Sequence, residues 1–120
     1  ALAAARAALG PGRILGVSCY DELALAEEAA RAGADYVAFG SVFPSRTKPE
    51  AVHAPLALLG EARRRLGLPV AAIGGITLEN APQVIAAGAD MLAVVSDVFD
   101  AMDIRTRVEA YGSLFPRMQA

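Results

Sequence analysis

A chain of 120 residues that is 55% hydrophobic and only 20% charged can bury one core and is too apolar to be disordered. No apolar run approaches the roughly 18 residues of a membrane-spanning helix, and the start lacks the cationic and cleavage signals of a signal peptide. The expected location is therefore the cytoplasm, with no membrane partner. A net charge of -2 leaves no electrostatic footprint for nucleic acid, and the one cysteine, Cys19, has no second thiol for a disulfide or a metal cage.

In chain order, residues 1–9 are rich in strong helix formers and stop at Gly10. A chain that opens inside a helix, without a methionine, has two readings: it is missing its beginning, the favoured one, or its initiating methionine has been removed ahead of Ala1. Residues 14–18 read as a short buried strand and 22–32 as a helix ending at Gly33. Residues 36–40 form the next strand, followed by a hydroxyl-rich loop and a helix from about 55 to 66 with Gly67 as its cap. Residues 70–73 and a helix from about 79 to 87 make a third unit, and residues 91–95 with helical material from about 97 onward make a fourth.

All of these strands are apolar throughout rather than alternating, which predicts a parallel sheet covered on both faces and an α/β class. An internal echo supports repeated units: Ala32-Gly33-Ala34-Asp35 precedes the second strand and Ala87-Gly88-Ala89-Asp90 the fourth. Asp35 and Asp90 thereby fall at strand starts and are read as turn-forming rather than catalytic. A doubly wound sheet and a β/α barrel both fit the periodicity. Gly74-Gly75 after the third strand and Val95-Ser96 after the fourth favour the barrel, where phosphate sites use the loops after the last two strands.

The strand ends carry the candidate chemistry. Ser18, Gly40-Ser41, Gly74-Gly75 and Val95-Ser96 all lie at the carboxyl edge, where α/β folds place ligands. The loop Ser45-Arg46-Thr47-Lys48-Pro49 adds hydroxyls and cations suited to an anion. Ser18 has two readings, a cap for the following helix or a ligand contact, and Ser96 has the same two. Thr77 reads as a helix cap, Cys19 as a small buried residue and His53 as a surface residue. Tyr20 either stacks on a bound ring or lines the mouth. Asp100 and Asp103 are expected to share one solvated helical face.

Gly16-Val17-Ser18-Cys19, the run from Ala34 to Gly40, Ser45 to Pro49, Ala72 to Thr77, and Ala89-Asp90 through Val95-Ser96 occur in an order and spacing that resemble the thiamine phosphate synthase family. The resemblance covers almost the whole chain and implies a TIM (β/α)8 barrel, of which residues 1–120 would be a single domain, the C-terminal four β/α units. It implies a transferase that joins hydroxymethylpyrimidine diphosphate to hydroxyethylthiazole phosphate, with magnesium, to give thiamine phosphate and pyrophosphate. Carried over, Lys48 and Ser18 would contact the diphosphate as catalytic residues. Ser45 and Thr47 would face the thiazole phosphate, with Gly74, Gly75, Val95 and Ser96 completing that site. The helix after Ser96 would add its positive end. Arg46 stands where members often carry a small residue, and would either loosen the loop or add a phosphate contact.

The family's magnesium ligands would precede residue 1, so no metal ligand is expected in this chain. The expected partners are the two small-molecule substrates; because half a barrel leaves open sheet edges, either a second copy in a homo-oligomer or a covering segment is expected to close them. Two other functions fit the residues: a thiazole tautomerase-like enzyme, weakened by Tyr20 where relatives often place histidine, and a non-catalytic module that binds a phosphate ligand.

Overall fold

The computed structural model describes residues 1–44 and 53–116. Its elements run α1 Leu2–Leu9, β1 Gly16–Ser18, α2 Leu23–Arg31, β2 Tyr36–Phe39, α3 Leu56–Leu66, β3 Val70–Ile73, α4 Ala81–Ala86, β4 Met91–Ala93, α5 Ser96–Phe99 and α6 Ile104–Gly112. The strands form one parallel sheet in the order β1-β2-β3-β4. This order never reverses, whereas a doubly wound sheet needs a switch point. The arrangement is that of consecutive units of a β/α barrel.

Right-handed crossovers between strands taken in sequence collect the helices on one face of the sheet. The side chains that alternate onto that face, Val37 and Phe39 of β2 with Val70 and Ala72 of β3, are fully buried. They share a core cluster with Ala29 of α2, Leu59 and Ala62 of α3 and Val84 of α4. Burying Phe39 or Leu59 contributes about 2–3 kcal/mol each. Cys19 belongs to the same cluster, and burial pushes its thiol pKa up, which leaves it an inert packing residue.

The expectation of a sheet covered on both faces is corrected here. On the other face Ile73 is 45% exposed, and Val95, just beyond β4, is 63% exposed. The reason is the winding: with every crossover on one side, no helix of the described residues covers the concave side. Ser18 pairs in register with Ala38, Ala38 with Ala71, Ala71 with Met91, and Ile73 with Ala93, so this face mixes small residues with Met91 and Ile73 as it leads to the carboxyl edge.

The two aspartates of the repeated motif have matching structural work. Asp35 Oδ2 accepts the N–H of Leu15 at 2.7 Å and Asp90 Oδ2 that of Val70 at 2.9 Å, in both cases 20 residues back. Each carboxylate thus ties the start of its own strand to the start of the preceding one. An arginine completes each pair, Arg6 at 2.5 Å from Asp35 and Arg63 at 3.3 Å from Asp90. Replacing Asp90 by Ala is expected to lower stability by about 1–2 kcal/mol. Urea unfolding checks this, and an unchanged midpoint would remove the aspartate from the structural frame.

The C-terminal helical material differs from its sequence reading. It is broken at residues 100–103, so Asp100 is the C-cap residue of α5 and Asp103 the N-cap residue of α6. Asp103 Oδ1 accepts from the N–H of Thr106 at 3.1 Å, the standard work of a capping aspartate. The two residues therefore do not share one helical face.

Candidate active site

At the carboxyl ends of the strands lies a cavity of about 840 Å³ to which every strand end contributes. Ser18 comes from β1, Gly40 and Ser41 from the end of β2, Gly74 and Gly75 from β3, and Val95 and Ser96 from β4. Four of the seven carried-over substrate-binding positions and Ser18 are thus brought together in one wall. Ser45, Arg46, Thr47 and Lys48 lie outside the described residues, following Pro44, which does line the cavity.

The glycine pair owes its identity first to backbone packing. Gly74 has φ 106 and Gly75 φ 62, in the left-handed half of conformational space. A Cβ on Gly74 would sit 2.7 Å from Cα of Ser41, and one on Gly75 would sit 2.6 Å from the carbonyl oxygen of Pro44. The loop after β2 therefore lies directly on the loop after β3. Phe43 donates its N–H to the Gly74 carbonyl at 3.2 Å, and the Ser41 hydroxyl donates to the Phe43 carbonyl.

Beyond the glycines the chain is held by a reciprocal pair. Asn80 Oδ1 accepts the Thr77 N–H at 2.8 Å, Thr77 Oγ1 accepts the Asn80 N–H at 3.2 Å, and Asn80 Nδ2 donates to the Gly75 carbonyl at 3.0 Å. Thr77, read as the N-cap of a helix starting near residue 78 or 79, instead closes the turn before α4, whose N-cap residue is Asn80 and whose start has no side-chain cap hydrogen bond. Asn80 was missed, although its spacing of three from Thr77 is the signature of such a reciprocal turn.

Neither serine is used as a cap. The N-cap residues of α2 and α5 are Glu22 and Val95, and neither helix start has a side-chain cap hydrogen bond. The backbone N–H groups of Gly75 and Ser96 find no acceptor among the described residues. Two such donors bordering one cavity suit an anion. The expected contribution from the positive end of the following helix is corrected: α5 has 4 residues, too short for an aligned macrodipole, so the peptide N–H groups themselves are what it offers.

Tyr20 lines the cavity, is 58% exposed, and adopts φ 55, a left-handed conformation unusual for a residue with a side chain. Its carbonyl accepts the Gly40 N–H at 3.1 Å, which anchors that conformation to the end of β2. His53 is exposed and outside the cavity lining. Among the described residues no three His, Cys, Asp or Glu side chains come together to hold a metal ion.

Asp97, Asp100 and Arg107 also border the cavity, and the sequence reading did not assign them there. Asp97 Oδ2 accepts from Tyr111 Oη at 2.5 Å and from the Leu78 N–H at 3.1 Å. Arg107 Nη1 donates to Asp97 Oδ1 at 2.8 Å and to the Asp97 carbonyl at 3.0 Å. Burial pushes the Asp97 carboxyl up, but the hydrogen bonds from Tyr111, Arg107 and Leu78 outweigh it and hold it below the usual carboxylate range. Burial, then Asp97, pushes Tyr111 well above the usual phenol range. No local motif announces this network, because it joins the loop after β3 to two helices beyond β4.

A family model described as thiamine monophosphate synthase matches residues 1–98. A thiamine-phosphate synthase of Aromatoleum aromaticum is 68% identical over 114 residues, covering 95% of this chain and 55% of that protein. One of Azoarcus sp. is 66% identical over 113 residues, covering 94% of this chain and 55% of that protein. Among solved structures, a thiamine phosphate pyrophosphorylase from Pyrococcus furiosus superposes with a TM-score of 0.82 at 37% identity, covering 95% of this chain and 54% of that one. The chain spans about 55% of the length of the curated relatives it matches.

Proposed function

The chain belongs to the thiamine monophosphate synthase family, and on that premise we propose that it carries the thiazole-phosphate side of the active site of a transferase making thiamine phosphate. The observation that carries this reading is the cavity at the strand ends, lined both by Ser18 and by Gly75 and Ser96, whose N–H groups have no acceptor among the described residues. In the proposed reaction the bond from the pyrimidine methylene carbon to the diphosphate oxygen breaks, and pyrophosphate leaves with the electron pair. The thiazole nitrogen then forms the new carbon–nitrogen bond. Such a step needs position and charge stabilisation rather than a covalent nucleophile. Gly75 and Ser96 hold the thiazole phosphate, and Ser18 and Lys48 meet the departing diphosphate. Magnesium, in this reading, takes its ligands from outside the described residues.

Residues 1–120 act in this proposal as one domain, the C-terminal four units of a barrel. The outer edges of β1 and β4 carry no strand among the described residues, and in this proposal further units of the barrel pair with them. No helix of the described residues is long and apolar enough to cross a membrane, and we place the enzyme in the cytoplasm. The full chain, given both substrates and magnesium, is expected to release thiamine phosphate and pyrophosphate. Binding of the thiazole phosphate with no product would overturn this in favour of a binding module. Lys48→Ala should lower turnover roughly a hundredfold, the effect of losing one group that stabilises developing charge, with an unchanged circular dichroism spectrum. A rate near that of the wild type would remove Lys48 from the chemistry.

A further inference from the structure

Arg107 is the one cation among the described residues that line the cavity, set against two carboxylates, Asp97 and Asp100. An anion entering a wall of that charge meets repulsion unless a cation offsets it. The guanidinium is fixed in place. Both hydrogens of Nη1 are spent on Asp97, on its Oδ1 and its carbonyl, and the Nε and Nη2 groups have no acceptor among the described residues. A planar fork with one corner tied and its other edge unused is a pre-organised receptor for a tetrahedral oxyanion.

The anchor is itself anchored. Asp97 spends its other oxygen on Tyr111 and on the Leu78 backbone, so it is held from both α6 and the loop that begins at Gly75. Leu78 lies three residues after Gly75, and Asp97 follows Ser96 directly. The network therefore places the guanidinium beside the two loops whose Gly75 and Ser96 N–H groups have no acceptor among the described residues, although Arg107 is ten positions from Asp97 in the chain. We propose that Arg107 is a further substrate-binding residue of this cavity, receiving the phosphate group of the thiazole substrate through its Nε and Nη2 edge, with Asp97 as its positioning residue. The inference rests on the function proposed above and assigns one more group to the same site.

Calorimetric titration of the full chain with hydroxyethylthiazole phosphate and with the unphosphorylated alcohol tests it. The wild type is expected to prefer the phosphate. Arg107→Gln is expected to lose roughly 10- to 100-fold in affinity for the phosphate, as for one hydrogen-bonded charge, while its affinity for the alcohol stays the same. That split between the two ligands is a readout that general loosening of the fold would not give. If Arg107→Gln does not fold, Arg107→Lys serves, because a point charge replaces the fork and the preference should fall part of the way. A wild type that prefers the phosphate, with the preference intact in the folded variant, overturns the role of Arg107 and leaves the proposed function standing. A wild type with no preference overturns the proposed function, and this inference falls with it.

Discussion

Gly74→Ala is expected to lower the stability of the folded chain by about 3–5 kcal/mol, summing left-handed strain and overpacking. Gly74 has φ 106, a conformation that side chains rarely adopt. The added Cβ would also meet the Cα of Ser41 at 2.7 Å, and a backbone atom cannot rotate away as the end of a flexible side chain can. Relief requires the loop after β2 to separate from the loop after β3, which breaks the Phe43 to Gly74 hydrogen bond and distorts the cavity between them. Gly12→Ala is the matched control, since nothing lies within 4 Å of its Cβ position. Urea unfolding of both variants checks the prediction; a loss at Gly74 no larger than at Gly12 would mean that the two loops are not in tight contact.

Asp97→Ala is expected to cost about 3 kcal/mol, because it removes one partner of a part-buried ion pair and strands three donors at once. Those donors are the Leu78 N–H, the Tyr111 hydroxyl and the Arg107 guanidinium. A pH dependence accompanies it. Asp97 is held below the usual carboxylate range, so its contribution is present above the unfolded-state value, near 3.9, and is lost as pH falls through the folded value. Tyr111 is pushed up, so its contribution is present below the unfolded-state value, near 10, and is lost as pH rises through the folded value. Thermal melts of the wild type, Asp97→Asn and Tyr111→Phe across pH locate both limbs. The asparagine variant should flatten the acid limb and the phenylalanine variant the alkaline limb; wild-type slopes in both would show that the network does not contribute to folding.

The strand and helix positions were legible because each unit is punctuated locally. The helix read over residues 55–66 is α3, Leu56–Leu66, and it closes on Gly67 in the left-handed conformation at φ 67. Strand ends were less legible at the two outer strands. Residues 14 and 15 were read as strand, yet β1 begins at Gly16 and Ile14 is 79% exposed. The chain there has an apolar pattern but, among the described residues, no neighbour on its outer side to complete the ladder. The break before α6 was marked by Asp103 three residues ahead of Thr106, a capping signal hidden by the apolar and charged residues around it. Candidate residues on strand ends were found because the carboxyl edge is where each apolar run stops.

What the sequence by itself determined was the class of the fold, the parallel direction of its strands, the edge at which the cavity opens, and the family to which these motifs belong. All of these follow from patterns that repeat within a few residues: continuous apolar runs, glycine stops, and aspartates before strands. Only the tertiary structure decided that the strands run in unbroken order, that no helix of the described residues covers one face of the sheet, and that Asp97 joins Leu78, Arg107 and Tyr111. The Leu78 to Asp97 bond spans 19 residues and the Asp35 and Asp90 bonds span 20. Contacts of that range depend on where each crossover returns the chain, and a single polar side chain at the end of such a path leaves no periodic trace in the residues beside it.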